Sequence, residues 1–375
     1  MTYDILRVDD AANRTRMAQG ALGELSGPAL FFMGGLFHLA GYENGRALGT
    51  LLQGLAKLPD GRKADVFFIQ EPQETSWEDK IRDCYVFEKT GQPSSAACDL
   101  AHAVFLTPAR LTALKDPVAR DDALAALKSH FSLLTLVGYS YGTSLIRQVE
   151  TVIRSDLRQT GLSENEIGEA MDCLAVLDLG PTYTLAETGP SAAHAVTVSR
   201  NDMMTHELSG FVFPEPNPEG HSVTAQIAGN SLIIVPEEGT ATSRALVEKT
   251  GEKPSLRYDI YEEAHSLLMY LNVTDSVHES DKTIRTFASL PTASLARKFC
   301  ALAVGASAES AETGTLRSGY KLLMEFQARN LSPDPLDELD RSFRAEDEYF
   351  LREIAGGAAP AVQKSFWKKP AFMNS

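Results

Sequence analysis

The chain has no excess of basic residues. Its 375 residues include 35 lysines and arginines against 50 aspartates and glutamates, which gives a formal net charge of -15. A surface with this balance repels the phosphates of nucleic acids and of anionic lipids. We therefore expect no nucleic-acid partner and no electrostatic attachment to a membrane.

Cysteines and long apolar runs are also scarce. No stretch approaches the roughly 18 apolar residues of a membrane span, and residues 1–6 lack the basic and apolar regions of a secretory signal. The four cysteines lie far apart and are more typical of reduced, buried thiols than of a disulfide framework: Cys84, Cys98, Cys173 and Cys300. These absences predict a cytoplasmic protein without stable membrane insertion.

Motifs for common cofactors are missing as well. There is no G-x-x-x-x-G-K-[ST] phosphate loop, no G-x-G-x-x-G opening a βαβ unit, and no H-E-x-x-H or paired C-x-x-C. We expect neither a cofactor nor a metal.

Apolar runs that alternate with helical patterns dominate the rest of the chain. Apolar runs predict buried strands at 29–33, 65–69, 133–137, 173–179, 195–199 and 231–235, and a last strand is predicted at 256–261. Helical patterns fall at 44–58, at 94–130 with breaks near Pro108 and Pro117, and at 143–153. The alternation predicts the α/β class, with a doubly wound, mostly parallel sheet flanked by helices.

The chain divides into a core and a helical extension. We expect an α/β core over residues 1–282, with a lid or insertion at about 203–230 because residues 211–220 are rich in proline. Residues 283–375 are alanine-rich, then charged, and predict a helical C-terminal extension packed on or following the core.

The most informative motif is G-x-S-x-G at Gly138–Gly142, between an apolar run and a helical pattern. A serine at such a strand-to-helix turn projects its hydroxyl from the end of the sheet. Ser140 is therefore a candidate nucleophile. The alternative is a glycine-rich turn whose serine only caps the helix.

A serine nucleophile needs a base and a carboxylate that orients the base. In this type of site the order along the chain is serine, acid, histidine, which favours His265, after the run 256–261. His278, His221, His206 and His194 stay open. For the acid we favour Asp202, which follows the run 195–199; Glu238 and then Asp178 are the alternatives.

The developing oxyanion needs preorganised donors. We expect the backbone N–H of Tyr141 to supply one, and the loop with Gly35 and Leu36 after the run 29–33 to supply another. Gly34 and Tyr139 are candidate substrate-binding residues beside them.

These features resemble the α/β-hydrolase superfamily. The matching pieces are the Gly138–Gly142 elbow, the Gly34–Gly35 loop and the late His265, which together span about residues 28–275. The resemblance implies an eight-stranded, mostly parallel sheet and a Ser–His–acid triad. The interval from Asp202 to His265 is longer than is usual in the superfamily, which keeps Glu238 open as the acid.

The residues and the resemblance together predict a serine hydrolase that cleaves a carboxylic ester or thioester of a small acyl substrate through an acyl-enzyme on Ser140. An acyltransferase with the same triad, and a non-catalytic binding protein with this fold, are the alternatives.

Overall fold

The computed structural model shows an α/β protein. It describes residues 4–9, 13–16, 25–35, 56, 61, 63–70, 76–183, 192–198, 202, 205, 223–236 and 291–331. No helix within these ranges is long and apolar enough to cross a membrane.

The described strands form one nine-stranded sheet with the order β2-β1-β4-β3-β5-β6-β7-β9-β8. Six neighbouring strands, in the order β4-β3-β5-β6-β7-β9, run parallel. At the edges, β1 pairs antiparallel with β4, β2 with β1, and β8 with β9. Their bounds are β1 (Asp4–Asp9), β2 (Asn13–Arg16), β3 (Ala29–Met33), β4 (Asp65–Gln70), β5 (Leu134–Tyr139), β6 (Ala175–Leu179), β7 (Ala193–Thr197), β8 (Val223–Ala228) and β9 (Ser231–Pro236).

Eight helices are described. They are α1 (Trp77–Thr90), α2 (Ser95–Val104), α3 (Pro108–Lys115), α4 (Arg120–Ser132), α5 (Tyr141–Gln159), α6 (Glu164–Met171), α7 (Pro291–Thr313) and α8 (Gly319–Asn330). Residues of α2 to α6 pack on one face of the sheet, and residues of α7 and α8 pack on the other. The C-terminal helices therefore complete the core of the sheet.

The central strands are mostly apolar because both of their faces are covered. Phe31 stacks on Phe67 on the α5 face, with ring centroids 4.7 Å apart, and Phe32 stacks on Phe68 on the α7 face at 5.9 Å. Neighbouring residues of one strand thus belong to two separate cores.

Six of the predicted strands are confirmed as β3, β4, β5, β6, β7 and β9, with shifts of one or two residues at some ends. The helical region 94–130 is confirmed as α2, α3 and α4, and the helix after Ser140 as α5. The predictions at 256–261, almost all of 44–58, and beyond residue 331 lie outside the described residues. Residues 223–228, which we placed in a lid, form the edge strand β8.

A buried arginine joins α7 and α8 to the sheet. Arg317 lies between these helices and is 5% exposed. Its guanidinium donates to groups at the start of β5, just before β6 and on α7: the carbonyls of Phe131, Leu134, Cys173 and Ala303, and the hydroxyls of Thr135 and Ser307. Burial lowers the pKa of Arg317 to about 10, so the side chain is still charged at neutral pH.

We predict that Arg317→Met lowers the free energy of unfolding by about 3 kcal/mol or more, because several buried carbonyls lose a charged donor at once. The measurement is urea denaturation followed by circular dichroism. The control is Arg329→Met, since Arg329 is exposed and pairs only within its own helix with Glu325. Equal stability of the two variants would contradict the anchoring role of Arg317.

Candidate active site

Ser140 occupies the corner between β5 and α5 in a strained backbone conformation. Its φ is 53° and its ψ is -124°, and it is the one non-glycine residue with positive φ in the described part of the chain. Such a conformation costs on the order of 1–3 kcal/mol and persists where the surroundings fix it. The side chain is 4% exposed.

The structure excludes the reading of Ser140 as an ordinary helix cap. Four other serines of this chain cap helices with extended backbones and accept a hydrogen bond from the first turn: Ser76, Ser94, Ser163 and Ser318. The side chain of Ser140 makes no such bond. Its side chain therefore does not cap α5.

Hydrogen bonds hold both peptide groups of Ser140. Its N–H donates to the carbonyl of Leu179 in β6 at 2.9 Å. Its carbonyl accepts from the Thr143 hydroxyl at 2.7 Å and from the Thr182 hydroxyl at 3.3 Å. The Thr182 N–H in turn donates to the Thr143 hydroxyl at 3.1 Å. Strand β6 and the residues after it thus fix the backbone of Ser140 through hydrogen bonds.

Close backbone contacts require the glycines of the motif. A Cβ on Gly142 would lie 2.1 Å from the carbonyl oxygen of Met33, and a Cβ on Gly138 would lie 3.0 Å from Cα of Thr143. The end of β3 and the loop after it therefore contact the first turn of α5.

Gly35 brings that loop against Ser140. A Cβ on Gly35 would lie 3.1 Å from Cβ of Ser140 and 3.0 Å from the ring of Tyr139. Gly34 lies beside it, since its carbonyl oxygen would be 2.9 Å from a Cβ on Gly142. Leu36 lies outside the described residues. Of the predicted loop, Gly34 and Gly35 are thus brought to Ser140.

The first turn of α5 presents backbone N–H groups and lies near a cation. The initial N–H groups of a helix have no partner within it, and they favour negative charge; Tyr141 is the first residue of α5. The ring of Tyr141 is buried, and Nζ of Lys80 lies 5.2 Å from its centroid. Both features favour an anion at this end of α5.

Tyr139 is buried among the residues of the α7 face.

Asp202 lies at the same edge of the sheet, beyond the C-terminal end of β7. It is fully buried, and its two oxygens accept from the N–H and the hydroxyl of Thr205 at 2.9 and 2.8 Å. Each carboxylate oxygen can accept more than one hydrogen bond. Asp202 is thus a buried carboxylate with both oxygens held by Thr205.

Asp178, the third candidate acid, is committed elsewhere. Its Oδ2 lies 2.5 Å from Nδ1 of His194 and 2.5 Å from the hydroxyl of Tyr183. Nε2 of the same histidine lies 3.0 Å from Oε1 of Glu150. Burial alone would lower the pKa of His194, but the two carboxylates outweigh it and raise this pKa to about 9. His194 therefore has no ring nitrogen left for Ser140.

The other two described histidines lie away from the corner. His130 is near the end of α4, before β5 begins, and its Nε2 contacts the carbonyl of Val104. His102 pairs with Asp156, sixteen residues along α5 from Ser140, which is about 24 Å at the rise of an α-helix. His265, Glu238 and the remaining histidines lie outside the described residues.

Sequence reasoning missed the cluster of Glu150, Asp178, His194 and Tyr183. One signal could have found it: His194 and Asp178 are polar residues within strands that are otherwise almost wholly apolar. Among the described residues, no group of three or more histidines, cysteines or carboxylates is arranged to hold a metal ion.

No protein-family model matches the chain, and no curated protein matches its sequence.

We predict that Gly142→Ala destabilises the protein by about 3 kcal/mol, since the added methyl meets backbone, which cannot rotate away. Gly168→Ala is the matched control, because Gly168 lies in α6 with open space around it. Alanine favours a helix over glycine by up to about 1 kcal/mol, so this control should be neutral or stabilising. Urea denaturation compares the two variants, and equal shifts would contradict the close contact with Met33.

Proposed function

We propose that the protein is a serine hydrolase that cleaves a carboxylic ester or thioester, with Ser140 as its nucleophile. The observation that carries the proposal is the backbone of Ser140, which is strained, fixed at both peptide groups and without a capping role. Strain of this kind clusters at active sites, where it helps to aim a reactive side chain. A strained serine between a strand and a helix is the geometry of a nucleophile elbow.

The oxyanion donors follow from the same corner. In the proposed reaction the Ser140 hydroxyl attacks the acyl carbon, and the carbonyl oxygen becomes an anion. The backbone N–H of Tyr141 and the loop that carries Gly35 and Leu36 stabilise it. The contact between Gly35 and Ser140 supports this assignment, because a donor in that loop starts beside the nucleophile.

The base is His265. It accepts the hydroxyl proton as the Ser140 oxygen forms its bond to the acyl carbon, and it returns the proton to the leaving alcohol or thiol. Water then attacks the acyl-enzyme and releases the acid. His194 is disfavoured because both of its nitrogens already contact carboxylates, and the order serine, acid, histidine supports His265.

We assign Asp202 as the acid that orients the base. It follows β7, two strands from β5 in the sheet, at the edge where the C-terminal ends of the parallel strands meet. Its bonds to Thr205 hold both oxygens in place. The strand order and the position of Ser140 after a central strand support the resemblance to α/β-hydrolases.

A fluorophosphonate probe tests the nucleophile directly, because it forms a covalent bond with activated serines. We expect it to label the wild type at Ser140 and not to label Ser140→Ala. Ser144→Ala is the matched control: Ser144 is buried one turn along α5, and its hydroxyl has no hydrogen-bond partner among the described residues. Labelling that survives in Ser140→Ala, or an unlabelled wild type, would overturn the proposal.

We predict that Asp202→Asn lowers the rate of ester hydrolysis by about 10⁴-fold, because an amide keeps the shape but favours the wrong imidazole tautomer. Glu238→Gln should change the rate little. The measurement is turnover of a short p-nitrophenyl ester as a function of pH, and wild-type activity should fall as pH drops below about 6.5. The reverse pattern would move the acid to Glu238.

A further inference from the structure

The buried cluster of Glu150, Asp178 and His194 joins three elements of the fold. Glu150 belongs to α5, Asp178 to β6 and His194 to β7. The side chains of Asp178 and His194 are fully buried, and that of Glu150 is 5% exposed. Helix α5, which begins at the nucleophile, is thus tied to the sheet by charged groups that water does not screen.

The cluster requires a protonated histidine. An ionised carboxylate only accepts hydrogen bonds, so both ring nitrogens of His194 must donate to satisfy Glu150 and Asp178. A neutral ring would turn a lone pair toward one of the carboxylates and remove the charged donor from it, leaving Asp178 with the Tyr183 hydroxyl or Glu150 with the N–H of Ala192. Breaking one partner of a buried ion pair is strongly unfavourable.

The other described groups around the ring do not replace that proton. Tyr183 directs its hydroxyl to Asp178, and the guanidinium carbon of Arg147 lies 4.4 Å from the centre of the Tyr183 ring. The register partner of His194 in β9 is Ser231, which is uncharged. The groups that face the imidazole are therefore the carboxylates of Glu150 and Asp178, with Tyr183 and Arg147 behind them.

Short covalent links lead from the cluster to the corner. Asp178 directly precedes Leu179, whose carbonyl accepts from the Ser140 N–H. Tyr183, which donates to Asp178, directly follows Thr182, whose hydroxyl donates to the Ser140 carbonyl. Two hydrogen-bonded supports of the strained backbone, from Leu179 and Thr182, thus adjoin a member of the cluster.

We propose that His194 is a positioning residue for the nucleophile: held as an imidazolium between Glu150 and Asp178, it locks α5, β6 and residues 180–183 together and so fixes the backbone of Ser140. The expected effect on the reactivity of Ser140 rests on the function proposed above. Its structural consequence, a rigid corner that loosens when His194 loses its proton, does not depend on catalysis.

Two measurements on His194→Gln test the proposal. The first is the rate of fluorophosphonate labelling of Ser140 between pH 5 and pH 10.5, and the second is hydrogen–deuterium exchange of the amides of residues 138–145 and 180–183. Glutamine cannot donate to both carboxylates in the geometry of the ring. We expect labelling to slow on the order of 10²-fold, as small misplacements of catalytic groups do, and exchange to become faster.

The pH profile separates positioning from simple destabilisation. As the pH rises, wild-type labelling should increase when the catalytic base loses its proton. It should fall again near pH 9, where the pKa of His194 lies. In His194→Gln the fall near pH 9 should be absent. A variant that melts earlier but labels at the wild-type rate, with the wild-type profile, would overturn the proposal.

Two further variants keep the test decisive. His102→Gln removes the exposed histidine that pairs with Asp156 on the distal part of α5, and should match the wild type in both measurements. Tyr183→Phe keeps every charge and removes only the hydroxyl bond to Asp178. This variant replaces His194→Gln in the test if His194→Gln does not fold. It should slow labelling and speed exchange at 180–183; no change would count against the proposal. If the wild type is not labelled, the hydrolase function fails, and exchange alone decides whether His194 positions the corner.

Discussion

The fixed backbone of Ser140 is the constraint on which the rest of the structure depends. Its positive φ is unfavourable for a residue with a Cβ, so the corner must be held from several sides. Strand β6 holds the amide, Thr143 and Thr182 hold the carbonyl, and the loop after β3 presses on the first turn of α5. Four elements therefore converge on one residue, and a displacement of any of them would let the corner relax.

Different interactions hold the two ends of strands β5 and β6. At their N-terminal ends, Arg317 donates to the backbone around the starts of β5 and β6 and joins them to α7. At their C-terminal ends, uncharged hydrogen bonds fix Ser140, and the ion cluster of His194 lies just below. The N-terminal edge is thus closed by a structural cation, while the C-terminal edge keeps the polar groups that can do chemistry.

The sequence predicted the strands that lie between two covered faces and missed the others. All six confirmed strands belong to the parallel block, where a buried strand is a continuous apolar run. The three missed strands pair antiparallel with their neighbours: β1 and β8 mix polar and apolar residues, and β2 has no apolar residue. The short alternating pattern of β8 was missed because it follows a proline-rich stretch. The loop predicted from those prolines was drawn too long and included the residues of β8.

The candidate site was predictable where its geometry is local. The Ser140 corner is encoded in five consecutive residues and their flanks, whereas the His194 cluster joins residues 16 and 44 positions apart. In the sequence, a histidine near a carboxylate reads the same whether it holds the fold or accepts a proton. Burial and geometry separate the two roles, because a base must keep one ring nitrogen turned to the nucleophile. Both nitrogens of His194 contact carboxylates, and the contacts of His102 and His130 place them far from the corner. In the function proposed above, the base is therefore a histidine outside the described residues, and the proposal of His265 with Asp202 as the acid follows the order serine, acid, histidine.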